Sequence, residues 1–328
     1  MPSASANPEQ LADQVLAGDR RALARAITLV ESSRSEHRMA AEQLLTRLAS
    51  HAGESRRLGI TGAPGVGKST FINALGVIVI AEKCKVAVLS VDPSSQLTGG
   101  SILGDKTRMQ ELARNNAAFV RPSPAGGTLG GVHRRTREAM LLVEAAGYDV
   151  IIVETVGIGQ SETEVAGMTD VFLLLMQPGG GDELQGIKRG VIEMADFILV
   201  TKADGELHSA AQKTVAGYAN ALRYLRARSG NWQVPVQTCS ALTGEGIAAI
   251  WQQVCDYHDA LQADGELAAR RAEQSRNWLW AELSACLLAS LRENTAVNAL
   301  LPEIERRVEQ GELAPTVAAR QLLAQLGK

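Results

Sequence analysis

The ten residues TGAPGVGKST (61–70) constrain this chain more than any other stretch. They follow the short apolar run Leu58-Gly59-Ile60 and precede a helical pattern, so a glycine-rich turn stands where a buried strand hands over to a helix. Gly62-Ala63-Pro64-Gly65-Val66-Gly67-Lys68-Ser69 fits the spacing G-x-x-x-x-G-K-[ST], with Thr70 following. Glycines at these positions let successive backbone N–H groups turn inward around a phosphate chain, and a helix beginning near Lys68 adds its positive dipole end. Lys68 is expected to meet the β- and γ-phosphates of a nucleotide, and the Ser69 hydroxyl a Mg²⁺ ion. A glycine-rich turn that binds nothing is the competing reading, and the strand-to-helix context argues against it.

The surroundings fit an α/β fold with a mostly parallel sheet. The runs KVAVLSVD (85–92), DVIIVET (149–155), VFLLLMQ (171–177), FILVTKAD (197–204) and VPVQTCSAL (234–242) are rich in Val, Ile and Leu and lack period-two alternation. Amphipathic stretches separate them, as in a sheet covered on both faces. Residues 9–52 carry helical spacing, with Leu11, Val15 and Leu16 before a break at Gly18-Asp19 and Leu23, Ile27 and Val30 after it. Helical patterning returns beyond Leu267 through RNWLWAELSACLLASLRE (276–293). The expected organisation is a helical N-terminal extension (1–55), a nucleotide-binding domain (56–263) and a helical C-terminal region (264–328).

A formal charge of −3 provides no global basic field for nucleic acid or an anionic membrane, so neither is an expected partner. Cys84, Cys239, Cys255 and Cys286 are far apart and read as thiols in a reducing compartment. The start MPSASANPEQLADQ lacks the basic-then-apolar pattern of a secretion signal, and no apolar run reaches a membrane-spanning length. The expectation is a cytoplasmic protein.

Base choice is written further along. Thr201-Lys202-Ala203-Asp204 follows the apolar run FILV, at the carboxyl end of a strand, where open α/β sheets bind their ligands. Alone, these residues would be a solvated turn; after a phosphate-binding turn, and with Ser240-Ala241-Leu242 downstream, they resemble the base-reading elements of GTPases. The Asp204 carboxylate can accept from two donors on the guanine edge, whereas adenine offers no such pair. Asp92 and Glu154 each end a strand and are candidates to hold Mg²⁺ or its water, with the Gly157 N–H sensing the γ-phosphate. Acids in such places also simply cap helices.

With GDRRALARAITLVES near the start, VDPSSQLTGGSILGDKTRM (91–109), ETVGIGQSETEV (154–165) and the later RNWLW, the chain resembles the MeaB/ArgK family of P-loop GTPases over most of its length. That resemblance implies GTP/GDP and Mg²⁺ as cofactors, hydrolysis of GTP, and service as a chaperone to a B12-dependent acyl-CoA mutase such as methylmalonyl-CoA mutase. The adenosyltransferase would be a further partner, and the C-terminal helices would form a homodimer. Carried onto this chain, the magnesium set would be Ser69, Asp92, Asp105 and Glu154, with Asp105 in a mobile switch. QPGGGDELQGIK (177–188) would be a further switch with Asp182, Gln185 and Lys188 as its polar residues. Lys68, Asp92, Asp105, Glu154 and Lys188 form the implied catalytic set.

Two departures stand out. Many GTPases carry a water-orienting Gln after the glycine matched by Gly157, yet Ile158 stands here, which implies slow intrinsic turnover completed by a partner. Thr201 replaces the family's usual Asn and has shorter reach. Rival readings are a transport-linked P-loop kinase or ATPase, a nickel-insertion GTPase and a non-enzymatic interaction module. Asp204 speaks against the first. The scatter of His37, His51, His133, His208 and His258 speaks against the second, and intact Lys68, Ser69 and Glu154 against the third.

Overall fold

The computed structural model describes residues 7–32, 34–91, 109–122, 129–155, 161–179, 189–222 and 232–325. Its centre is a seven-stranded sheet: β1 (Arg56–Gly62), β2 (Val86–Val91), β3 (Ala118–Arg121), β4 (Val150–Thr155), β5 (Val171–Met176), β6 (Phe197–Val200) and β7 (Val236–Thr238). The spatial order is β3-β2-β4-β1-β5-β6-β7, and every pairing is parallel. β1 therefore lies between β4 and β5, and its carboxyl end sits where connections leave in both directions, the crevice at which open α/β sheets take ligands.

Side chains alternate across the strands and feed two cores. Leu58, Ile60, Val88, Ile152 and Leu173 face the helices α4 (Lys68–Ala81), α5 (Gln110–Arg114) and α10 (Ile247–Ala263). Ala87, Leu89, Ile151, Val153 and Leu174 face the opposite core with α6 (Leu129–Ala145) and α7 (Ser161–Ala166). Burial on both faces explains why β2, β4 and β5 read as continuous apolar runs. The sequence reading had no β3: a four-residue edge strand, AFVR, is too short to stand out from its neighbours. Helices α8 (Arg189–Met194) and α9 (His208–Leu222) complete this layer.

The N-terminal helices α1 (Pro8–Leu16), α2 (Arg20–Val30) and α3 (Ser35–Leu48) share the second core. Leu11, Val15, Leu23, Ile27, Leu44 and Leu48 are buried in one cluster with Met140 and Val143 of α6, so these helices form an outer layer on the sheet domain.

By compactness the chain divides into two units, Met1–Arg271 and Ala272–Lys328. The division falls inside the long helix α11 (Glu266–Glu293). The second unit also contains α12 (Thr295–Glu309) and α13 (Pro315–Leu323). Among the described residues no helix is long and apolar enough to cross a membrane.

A buried ionic cluster closes the amino-terminal edge of the sheet in the first unit. Asp170, just ahead of β5, accepts from the Arg57 amide at 2.9 Å and from Arg271 Nε at 2.9 Å and Nη2 at 2.6 Å. Arg271 also donates to the carbonyls of Gly53 and Ser55, and Arg57 forks onto Glu144 at 2.8 and 2.9 Å. Beside it, Asp196 accepts from Tyr257 Oη and the Phe172 amide, both at 2.8 Å. Asp170 is fully buried. Burial alone would raise its carboxyl, but the hydrogen bonds from Arg271 and His258 and the charges of Arg271 and Arg57 outweigh it and hold the group well below the ordinary value of 3.8.

Removing one member of a buried pair strands the other, so Arg271→Ala is expected to cost the first unit about 3–5 kcal/mol by chemical denaturation. A depressed carboxylate stabilises the fold above its unfolded value and loses that contribution as pH falls through the folded value. The wild type should therefore lose more stability than Arg271→Ala between about pH 5 and about pH 2.

Candidate guanine-nucleotide site

β1 ends in the turn Ala63–Gly67, and α4 starts at Lys68. Gly62 has φ +152°, and a side chain there would run into the Leu175 carbonyl of β5. Gly67 caps α4 in the left-handed region at φ +100°, with no side-chain cap on the helix. The first-turn amides of α4 are thus presented to whatever occupies the turn. Val66 is fully buried and pins the turn to the core, while Pro64, Gly65 and Thr70 are exposed.

The turn is braced through its carbonyl groups. Lys68 Nζ donates to Gly62 O at 2.7 Å and Ala63 O at 3.1 Å. Lys202 Nζ donates to Gly65 O at 2.7 Å. Thr201 Oγ1 donates to Val66 O at 2.7 Å, with Met176 O at 3.1 Å. Four of the five peptide carbonyls from 62 to 66, those of residues 62, 63, 65 and 66, are therefore engaged, which fixes the loop's shape before any ligand arrives. Thr201 is buried and its short reach suffices, because the end of β6 lies directly under the turn. Lys202 adopts φ +54°, a left-handed conformation that costs about 1–2 kcal/mol for a residue with a side chain. Its bond to Gly65 O and the Ala203 amide's bond to Cys239 O at 3.1 Å hold it there.

On the same edge, Ser240 Oγ donates to Asp204 Oδ1 at 2.8 Å and accepts from the Thr243 amide at 3.2 Å. One carboxylate oxygen of Asp204 is thereby oriented. Ala241 is half-buried, and Leu242 is 82% exposed at the rim.

The acidic side of the site contains Glu154, buried at the end of β4, whose Oε1 accepts from Ser69 Oγ at 3.1 Å. The strand register brings Ile60, Glu154 and Ser90 into one row. On the opposite face Thr61 and Thr155 join their hydroxyls at 2.7 Å, both buried, tying β1 to β4 beneath the turn. This pair was missed from sequence, although a threonine near the carboxyl end of each of the two strands was a signal for it. Asp92, Asp105, Gly157, Ile158, Asp182, Gln185 and Lys188 lie outside the described residues.

A phosphate-type turn braced from a Thr-Lys-x-Asp strand end, in an all-parallel sheet, defines a P-loop GTPase. The family described as "Methylmalonyl Co-A mutase-associated GTPase MeaB" matches residues 23–296, and the chain belongs to that family. A putative GTPase of Caulobacter vibrioides is 52% identical over 97% of this chain and 98% of its own length. The mouse "Methylmalonic aciduria type A homolog, mitochondrial" is 46% identical over 96% of this chain and 78% of its own length. A solved structure titled "Crystal structure of LAO/AO transport system kinase" is 40% identical, covers both chains completely and superposes with a TM-score of 0.78. The chain is thus a guanine-nucleotide-binding GTPase.

Two outcomes test the geometry. Asp204→Asn should weaken GDP binding at least about tenfold while improving binding of xanthosine nucleotides, whose C2 oxygen offers the new amide an acceptor; competition with labelled nucleotide reads both. Thr201→Val keeps the shape but strips the donor from the Val66 carbonyl. It should lower stability by about 1–2 kcal/mol in denaturant and weaken GDP binding, whereas Thr201→Asn restores a donor and should retain it.

Proposed function

We propose that this GTPase is a chaperone of an adenosylcobalamin-dependent acyl-CoA mutase, gating delivery of the cofactor and protecting the loaded mutase from inactivation. The family's association with methylmalonyl-CoA mutase supports this reading, as does the mouse relative's name. The carrying observation is the brace from Thr201 and Lys202 onto the Val66 and Gly65 carbonyls, which joins base-reading and phosphate-binding elements into one rigid site. Such a site can distinguish GTP from GDP and report the difference to adjoining segments.

In this reading the turn 62–67 wraps the phosphates, and Lys68 neutralises the β- and γ-phosphates. Asp204, oriented by Ser240, reads the guanine edge between the Lys202 stem and the Ser240–Leu242 loop. The donor set fits a hard cation: a hydroxyl and a carboxylate, Ser69 and Glu154, already 3.1 Å apart at the sheet's ligand edge. They would hold Mg²⁺ together with Asp92 and Asp105, and the ion would supply charge neutralisation at the phosphates. Asp182, Gln185 and Lys188 would act in a switch after β5. Because Ile158 cannot align water, a mutase partner completes the catalytic arrangement.

The second unit supplies a surface for self-association. Leu279, Trp280, Leu283, Leu287 and Leu288 on α11 are all exposed, a stripe that an isologous homodimer would cover. The adenosyltransferase is the further partner in this scheme, and the compartment is the cytoplasm. A transport-kinase reading, suggested by the solved relative's title, is disfavoured because the Asp204–Ser240 pair suits guanine.

The test is GTP turnover with and without purified methylmalonyl-CoA mutase. The isolated protein should turn over slowly and the mutase should accelerate it at least about tenfold. Fast hydrolysis by the protein alone, unchanged by any acyl-CoA mutase, would defeat the proposal. A chain ending at Arg271 retains the ionic cluster on Asp170 and is expected to be a monomer by light scattering that still binds GDP.

A further inference from the structure

β2 reads Val-Ala-Val-Leu-Ser-Val, six residues all buried, and only one of them is polar. Ser90 is 8% exposed, and its hydroxyl has no hydrogen-bond partner among the described residues. An unmade bond on a buried hydroxyl is a cost that alanine would avoid in the same space. Such a group calls for a partner that arrives with another state of the molecule.

Its position says which one. Ser90 is in register with Glu154 across the β2–β4 pair, and Ile60 is in register with Glu154 on the other side. Residues in register on parallel strands project from the same face, and neighbouring strands are about 4.8 Å apart. That face carries α4, whose Ser69 already donates to Glu154 Oε1 at 3.1 Å. A carboxylate has about four lone-pair sites, so it can accept from a further hydroxyl while keeping the bond from Ser69.

We propose that Ser90 is a positioning residue for Glu154: in the magnesium–nucleotide state its hydroxyl donates to the Glu154 carboxylate and fixes the orientation of that acid. The inference rests on reading Ser69 and Glu154 as the magnesium side of the site. Ser90 touches neither nucleotide nor ion; it acts by restricting the rotation of a carboxylate whose arm is one methylene longer than an aspartate's. Fixing a ligand through a neighbouring hydrogen bond is a general means of raising a site's affinity for its ion.

The experiment measures dissociation of a fluorescent GDP from the full chain as Mg²⁺ is varied, with an EDTA arm, so it does not depend on turnover. In Ser90→Ala the Mg²⁺ concentration giving half-maximal retention of GDP should rise about tenfold. Dissociation in EDTA should stay within about twofold of wild type, and Ser90→Thr, which keeps the hydroxyl, should restore the wild-type magnesium dependence. Ser69→Ala serves as the control on the underlying site. If Ser69→Ala shifts the magnesium dependence and Ser90→Ala does not, the role of Ser90 is refuted. If Ser90→Ala speeds dissociation equally in EDTA, its role is only structural and the proposal fails. If neither variant shifts it, the magnesium reading of Ser69 and Glu154 fails and takes the Ser90 proposal with it.

Discussion

The site depends on one constraint: the carbonyls of the glycine-rich turn are tied from outside it. Lys68, Lys202 and Thr201 each donate to this backbone, from the start of α4 and the end of β6. A peptide unit whose carbonyl is held in one direction presents its N–H in the other, so these bonds help aim donors at the place where phosphate charge would sit. Glycine tolerates the conformations required at 62, 65 and 67, and the donors select among those that glycine allows. The left-handed backbone of Lys202 is the counterpart, a local cost accepted where it secures the turn.

The sheet separates stability from chemistry along its strands. At the carboxyl edge stand Glu154, Thr155, Thr201 and the phosphate turn, each at or just beyond a strand end. At the amino edge the buried carboxylates of Asp170 and Asp196 are paired with the partly buried Arg57, Arg270 and Arg271, and these charges join β1, β5, β6 and the first turns of α11. β1 and β5 run from this ionic cluster to the turn and to the segment after Met176. The ionic cluster therefore anchors the strands whose other ends carry the candidate site.

Membership in a family of mutase-associated GTPases and the arrangement of this site describe two halves of one device. Nucleotide chemistry needs a preformed cradle, which the first unit contains. The second unit leaves an apolar helix face exposed, the surface that the proposed homodimer would cover.

The order of motifs was legible in the sequence, because each lies in a contiguous stretch whose local physics is self-sufficient. Glycine spacing defines the turn from Gly62 to Gly67, apolar runs define β2, β4, β5 and β6, and a polar cluster after a strand marks Thr201–Asp204. Features built from residues distant in the chain were not legible. Thr61 meets Thr155, Thr201 meets Val66, Ser90 aligns with Glu154, and Asp170 meets Arg271 only because a particular strand order brings them together. The edge strand β3 and the packing of α1–α3 onto α6 belong to the same class, since short or amphipathic segments state that they must be covered without stating by what. By itself the sequence determined which chemistry each segment could perform; the tertiary structure decided which segments meet, because side-chain contacts across a parallel sheet depend on register and strand order, and neither is encoded in any local stretch.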